Sequence, residues 1–220
     1  MTSLSWSLGL DRLGWPTLTG PVGKTWQLWP VTWWQFEAFV AESRAMTNTD
    51  YERILARAEP KRPGLGAVRH DDAQVRGITA EEAREFAAWM GRGWHLPKDA
   101  EWRELLAAAA RIEPEPYVRQ LNAALLADLD LLQRRVASVF LSTAVAGGSM
   151  VDTMLLGRHA YEWVTTHRGF GLRGANLRRS GVLSFVGDAA PIEPLAGMLD
   201  ALLPFAGVRL VRTSTQDGQQ

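Results

Sequence analysis

The stretch GITAEEAREFAAWMGRGWHLPKDAEWRELLAAAAR, residues Gly77–Arg111, is the most informative part of the sequence because it predicts two helices joined by a short turn. Thr79 precedes the first helix as a hydroxyl cap, and an apolar stripe follows at helical spacing. Gly91 and Gly93 end that helix. We expect Pro97 to lie just inside the second helix, whose apolar residues again recur on one side. The two helices are therefore expected to enclose a tryptophan-rich core.

Short elements are predicted on the N-terminal side of this stretch. Residues 1–23 mix glycines and prolines with scattered apolar residues, which is typical of short strands and turns. Lys24–Trp29 alternates as a strand does, and Thr32 is placed to cap a short helix. Residues 43–58 have the spacing of a further helix.

Ten tryptophans are the unusual feature of the composition. A cluster such as WQLWPVTWW, residues 26–34, has two interpretations. Indole faces can form a platform on which sugars or bases stack, or they can fill a core with little regular structure around it. We favour the second interpretation, because filling the core is the ordinary use of large aromatic side chains.

Net charge and cysteine content restrict the classes of function that the chain can have. The 24 basic and 24 acidic residues cancel, so no overall field favours nucleic acid or an anionic membrane. No apolar run is long enough to span a bilayer, and the N-terminus lacks the pattern of a signal peptide. The chain has no cysteine, which fits a reducing compartment. We expect a cytoplasmic protein with no nucleic-acid or membrane partner.

Residues 116–141 predict a long helix with apolar residues three or four apart. A helix of this kind usually buries its stripe, so we expect it to pack on the rest of the chain and not to remain free for a partner. We treat residues 1–220 as one domain, with this helix as an insertion and residues 213–220 as a disordered tail.

Several blocks of sequence, taken together, resemble a known family. Ala83, Phe86 and Trp89, a glycine turn, Leu96-Pro97 and Ala100-Glu101-Trp102 follow one another in the signature stretch. Four further blocks keep the same order along the chain: Pro30-Val31-Thr32 with Phe36 and Phe39, Leu156-Gly157 with Tyr161-Glu162-Trp163, Leu172-Arg173-Gly174-Ala175-Asn176, and Gly207-Val208-Arg209-Leu210-Val211. This order is similar to that of the formylglycine-generating-enzyme (sulfatase-modifying factor) family.

The resemblance implies an α+β domain of the C-type-lectin-like kind, with short twisted strands, two or more core helices and the inserted helix. It also implies which residues hold that domain together: Trp89, Leu96, Pro97, Glu101, Trp102, Gly157, Glu162, Trp163, Arg173, Gly174, Gly207 and Arg209.

The resemblance does not carry the family's chemistry into this chain. Catalysts of the family bind copper through two cysteines, and a soft-metal thiolate site is impossible in a chain without cysteine. The four histidines, His70, His95, His159 and His167, have no metal-ligand spacing, and no serine lies in a nucleophile-elbow motif. The family's calcium loops correspond to the predicted helix, where calcium is not expected. We therefore predict no metal, no cofactor and no catalysis.

Function is expected on the C-terminal face, between Glu162 and Val211, where lectin-type folds hold their ligand. The candidate ligand or partner residues are His167, Arg168, Phe170, Asn176, Arg178, Arg179 and Phe185. The expected role is a binding or scaffold module for a protein or peptide. Two alternatives stay open: a variable protein of a diversity-generating retroelement, which Gly181–Pro191 resembles, and a degenerate metal-dependent oxidase or oxygenase. The sequence leaves the oligomeric state open.

Overall fold

The computed structural model describes residues 6–20, 23–43, 47, 52, 74–109, 161–167, 169–174, 176–177, 183–184 and 206–213. The elements with described bounds are β1 (Ser7–Leu10), β2 (Pro16–Thr19), β3 (Lys24–Gln27), α1 (Trp33–Glu42), α2 (Ala80–Met90), β4 (Trp94–His95), α3 (Asp99–Ala109), β5 (Tyr161–Thr166), β6 (Gly169–Gly174), β7 (Asn176–Leu177), β8 (Leu183–Ser184), β9 (Ala206–Gly207) and β10 (Val211–Thr213).

The strands form three small sheets. The first has the order β1-β2-β3-β10-β4 and is antiparallel throughout, with Val211 of β10 opposite both Trp26 and His95. The second has the order β6-β5-β9, in which β5 and β9 run parallel, and the third pairs β7 with β8. The strands pair mostly in antiparallel fashion, and helices and strands do not alternate regularly along the chain. The fold is therefore of the α+β class, as expected.

Both α1 and α2 begin at the caps that the sequence predicts. Thr32 and Gln35 form a capping box at the start of α1, and Thr79 and Glu82 form one at the start of α2. After α2 the backbone of Gly91 has a φ of 112°, which a residue with a side chain rarely adopts. These boundaries are local, because each is set by residues within one turn of the helix end.

Aromatic side chains fill the core between the helices and the sheets. Phe36 of α1 lies 5.8 Å from Phe86 of α2, and Phe39 lies 5.6 Å from Trp89, both measured between ring centroids. Seven of the ten tryptophans are buried: Trp15, Trp26, Trp29, Trp33, Trp94, Trp102 and Trp163. The core-filling interpretation of the tryptophans is therefore confirmed for these seven.

Three expectations differ from the structure. Pro97 lies two residues before α3 and not inside it, because α3 begins at Asp99. The segment between α2 and α3 is more than a turn, since Trp94–His95 forms β4 and pairs with β10. Thr213 is the last residue of β10 and pairs with Lys24, so a tail that starts at 213 starts too early.

Some predictions lie outside the described residues. These are the inserted helix at 116–141, the tail from 214 onward, and, apart from isolated described positions, the helix at 43–58.

Candidate recognition face

The β5–β6 hairpin carries the described part of the predicted recognition face. Its strands are antiparallel from Tyr161 opposite Gly174 to Thr166 opposite Gly169. His167 lies in the connecting turn and is exposed. Phe170, in β6, is half-buried and packs against the core. The hairpin therefore exposes its turn while its strands reach into the molecule.

A buried ion pair lies at the base of this hairpin. Arg209 donates from Nη2 to Glu162 Oε1 over 2.9 Å and from Nε to Glu162 Oε2 over 3.0 Å. The two side chains are 1% and 3% exposed. Trp102 Nε1 donates to the same Glu162 Oε2 over 2.9 Å, and Arg209 Nη1 donates to the carbonyl oxygens of Gln27 and Leu28. Buried charges are tolerated when each is paired and hydrogen-bonded in this way.

Further hydrogen bonds join β5 to the segments around α2 and α3. Trp163 Nε1 donates to the carbonyl oxygen of Ile78 over 3.0 Å, just before α2. The backbone N–H of Thr165 donates to the carbonyl oxygen of Pro97 over 2.8 Å, just before α3. Since both acceptors lie next to helix starts, β5 is held against the two helices along most of its length.

Asp99, the first residue of α3, connects that helix to β6. It accepts hydrogen bonds from the buried Arg173 of β6 and, over 2.9 Å, from Arg103. The hydrogen bond from Arg173 is the main reason that the pKa of Asp99 is lowered, although partial burial acts in the opposite direction. Arg173 therefore joins β6 to the start of α3.

Glu101 is the centre of a mixed-charge group on the same helix. Its carboxylate lies 3.3 Å from Lys24 Nζ and 3.4 Å from His95 Nε2, and Lys24 also lies 3.1 Å from Glu104. Burial opposes ionisation of Glu101, but the N–H of Lys98 and the nearby cations outweigh it, so its pKa is lowered. Burial likewise opposes the charge of Lys24, yet its two carboxylate partners raise its pKa.

Both ring nitrogens of His95 face oxygen atoms that can only accept. Its Nδ1 lies 3.0 Å from the carbonyl oxygen of Gly93, and its Nε2 lies 3.4 Å from the Glu101 carboxylate. Every charge in this group has a partner within the chain. We therefore interpret the group as a structural contact between β3, β4 and α3.

The structure brings together only part of the predicted ligand set. His167 and Phe170 share the β5–β6 hairpin, and the backbone of Asn176 lies in β7. Arg168, Arg178, Arg179 and Phe185 lie outside the described residues. Of the framework residues, only Gly157 lies outside them as well.

Reasoning from sequence missed the buried carboxylate at the β1–β2 turn. Asp11 accepts the N–H groups of Leu13 and Trp15 over 2.9 Å and the Gln27 Nε2 group over 3.0 Å. Gln27 Oε1 in turn accepts the N–H of Leu210 over 3.0 Å. Burial is the largest influence on Asp11 and raises its pKa. An Asp three residues before Gly14 is a turn signal that could have indicated its position, though not its partner Gln27.

The copper centre of the family's catalysts does not fit this chain. The chain has no cysteine, and in residues 6–213, within the described ranges, no three His, Asp or Glu side chains group as a metal site would require. The helices with described bounds include none that is long and apolar enough to cross a membrane.

Comparison with known proteins agrees with the sequence motifs. Residues 27–125 match the family model described as the sulfatase-modifying factor enzyme 1-like domain. The match contains the signature stretch and the block around Thr32, and it ends inside the predicted inserted helix. A search of curated proteins found no significant match.

Proposed function

We propose a binding role for this chain, starting from the premise that its residues 27–125 belong to the formylglycine-generating-enzyme (sulfatase-modifying factor) family. In our proposal the chain is a non-catalytic binding or scaffold module for a protein or peptide partner. The absence of cysteine supports this, because it removes the ligands of the copper centre that family catalysts use. We also propose that the arrangement of the domain is C-type-lectin-like.

The observation that carries the proposal is the β5–β6 hairpin. Its base is held by the buried Glu162–Arg209 pair and by Trp163, whereas His167 at its turn is exposed. A rigid base with an exposed turn costs little ordering entropy when a partner binds. Binding residues are commonly found on loops that a rigid scaffold positions in this way.

The residue types following the hairpin suit a peptide partner. Arg178 and Arg179 follow β7 in the sequence, and Arg168 follows directly after His167. Arginine is enriched among the residues that dominate interfaces, and its planar guanidinium binds carboxylates in a bidentate manner. We therefore propose that the partner segment presents carboxylate groups to this face.

The test is capture of partners from the native host by the full chain, measured by quantitative mass spectrometry. Replacing Arg178 and Arg179 together by alanine should lower the recovery of the specific partner about tenfold or more, because hot-spot truncations cost about 2 kcal/mol or more and a tenfold loss corresponds to about 1.4 kcal/mol. The melting temperature should stay nearly unchanged. Replacement of the exposed Arg84 and Arg92 by alanine is the matched control, and it should leave capture unchanged.

The capture experiment would give a different result if the inserted helix were the binding surface. If Leu125→Asp or Leu132→Asp leaves the chain folded and abolishes capture, while the Arg178/Arg179 variant still binds, the inserted helix is the binding surface and the proposal fails. Metal analysis of purified protein tests both predictions about metals. Copper or iron bound at one ion per chain would contradict a non-catalytic module, and calcium bound at one ion per chain would contradict the prediction that the chain has no calcium site.

A further inference from the structure

Two buried side-chain amides near the start of α1 have unused hydrogen-bonding capacity. Gln35 is 0% exposed and Gln74 is 7% exposed. Across the part of the chain that the structure describes, Gln35 Nε2 and Gln74 Oε1 have no hydrogen-bond partner. Buried polar atoms are normally satisfied by protein or by ordered water, since leaving one unsatisfied is costly. Gln35 Nε2 is a hydrogen-bond donor, and Gln74 Oε1 is an acceptor.

The orientation of the Gln35 amide is set by the helix cap. Its Oε1 accepts the backbone N–H of Thr32 over 2.9 Å and the Thr32 hydroxyl over 3.2 Å. Because the backbone N–H can only donate, the oxygen must face Thr32 and the NH₂ group must point away from that N–H. Rotating the amide by 180° would break the capping box.

Gln74 is placed beside the same cap by the backbone. It forms an isolated antiparallel bridge with Thr32, and the N–H of Val75 donates to the carbonyl oxygen of Val31 over 2.9 Å. Side chains of directly opposite residues stand on the same face. Thr32 therefore has the Gln35 amide hydrogen-bonded to its side chain and Gln74 next to it across the bridge.

We propose that one water molecule is bound between these groups, accepting from Gln35 Nε2 and donating to Gln74 Oε1. The occupant must both accept and donate, and the two amides are neutral, so a neutral molecule suits the site better than an ion. Buried waters typically have two to four such partners.

The water links segments that are distant in sequence. Thr32 and Gln35 begin α1, whereas Gln74 leads into the cap of α2 at Thr79. The bound water would thus join the two helix starts through hydrogen bonds. This inference does not depend on the proposed binding role.

The experiment is a water–protein cross-relaxation measurement by NMR on the full-length, ¹⁵N-labelled chain. We expect the Gln35 side-chain NH₂ to show a direct, long-lived cross-peak to water. The control is the Gln27 NH₂, which is equally buried but donates to Asp11 Oδ2, and it should show none. A Gln35 NH₂ with no water cross-peak would overturn the proposal, as would a direct contact between the two amides in its place.

Two variants sharpen the result. Gln74→Met removes the acceptor with little change in volume, and it should abolish the water cross-peak of Gln35. Gln35→Glu keeps the oxygen that caps Thr32 and puts an acceptor in place of the donor, so the water would donate to both side chains. Its crystal structure should keep the water, whereas the crystal structure of the Gln74→Met variant should lack it. Water retained in the Gln74→Met variant would contradict the assigned partners. The measurement on the unmodified chain decides the proposal even if a variant does not fold.

Discussion

The Glu162–Arg209 pair and the Lys24–Glu101–Glu104 group have similar chemistry but different surroundings. The side chains of the first pair are 1% and 3% exposed, whereas Lys24 is 24% exposed and Glu104 is 56% exposed. The first pair has further hydrogen bonds from Trp102 and to backbone carbonyls, while water is available to the second. Burial, more than the type of ion pair, should therefore decide how much each contact contributes.

The largest effect is expected for Arg209→Ala. The change leaves the Glu162 carboxylate buried without its cation, and breaking one side of a buried ion pair costs about 3–5 kcal/mol. Chemical denaturation should show this loss in the free energy of unfolding. The matched control is Arg212→Ala, because Arg212 is exposed, lies only three residues away and stands 5.3 Å from the Trp94 ring.

Equal losses for the Arg209 and Arg212 variants would contradict the comparison. In that case burial of the ion pair would not be the deciding quantity, and the Glu162–Arg209 network would be no more important than a surface contact.

A smaller effect is expected for Trp102→Phe. This substitution keeps an aromatic ring in the core but removes the Nε1 donor to Glu162, so one hydrogen bond to a charged group is lost. We expect the free energy of unfolding to fall by about 1–3 kcal/mol. Trp102→Ala also removes the ring and should cost about 3–5 kcal/mol. If the phenylalanine variant lost as much as the alanine variant, the hydrogen bond would account for the whole contribution of Trp102.

Local signals in the sequence predicted much of this fold. Thr32, Thr79 and Gly91 mark helix ends because capping depends on residues within one turn of one another. The α+β class and the framework residues came from the family resemblance, and the match over residues 27–125 confirms the family for that part of the chain. The helix ends could be predicted because they depend on residues close together in sequence, and the fold class could be predicted because the motifs follow a known family pattern.

Contacts between distant residues could not be predicted from the same signals. Arg173 meets Asp99 across 74 positions, and Trp102 meets Glu162 across 60. The strand β4 was missed for the same reason, since a two-residue strand has no period of its own and exists only because β10 pairs with it. The same limit applies to the candidate site. The sequence motifs indicated individual framework residues, but they did not indicate which distant residues contact them and orient the hairpin.

The smallest effect at neutral pH is expected for Glu101→Gln. The amide oxygen can still accept the N–H of Lys98, which now bonds to the Glu101 carboxylate over 2.9 Å. Only the attraction to Lys24 and His95 is lost. Glu101 itself is buried, but its partners Lys24 and His95 are partly exposed, and ion pairs with solvent-accessible partners contribute about 0–1 kcal/mol. The free energy of unfolding at pH 7 should therefore change by no more than about that amount.

The pH dependence of stability tests the contacts of Glu101 directly. The folded-state pKa of Glu101 is lowered from the ordinary value of 4.5, so its contribution is present above pH 4.5 and is lost as the pH falls through the lower, folded-state value. Asp99 acts in the same direction, whereas Asp11, whose pKa is raised, is stabilising at low pH and does not add to acid loss. The free energy of unfolding should therefore fall less steeply from pH 7 down to pH 3 for Glu101→Gln than for the unmodified chain, and Asp99 should contribute to the slope that remains. An unchanged slope below pH 4.5 would mean that Glu101 titrates alike in the folded and unfolded chain, and that its contacts with Lys24 and His95 do not stabilise the fold.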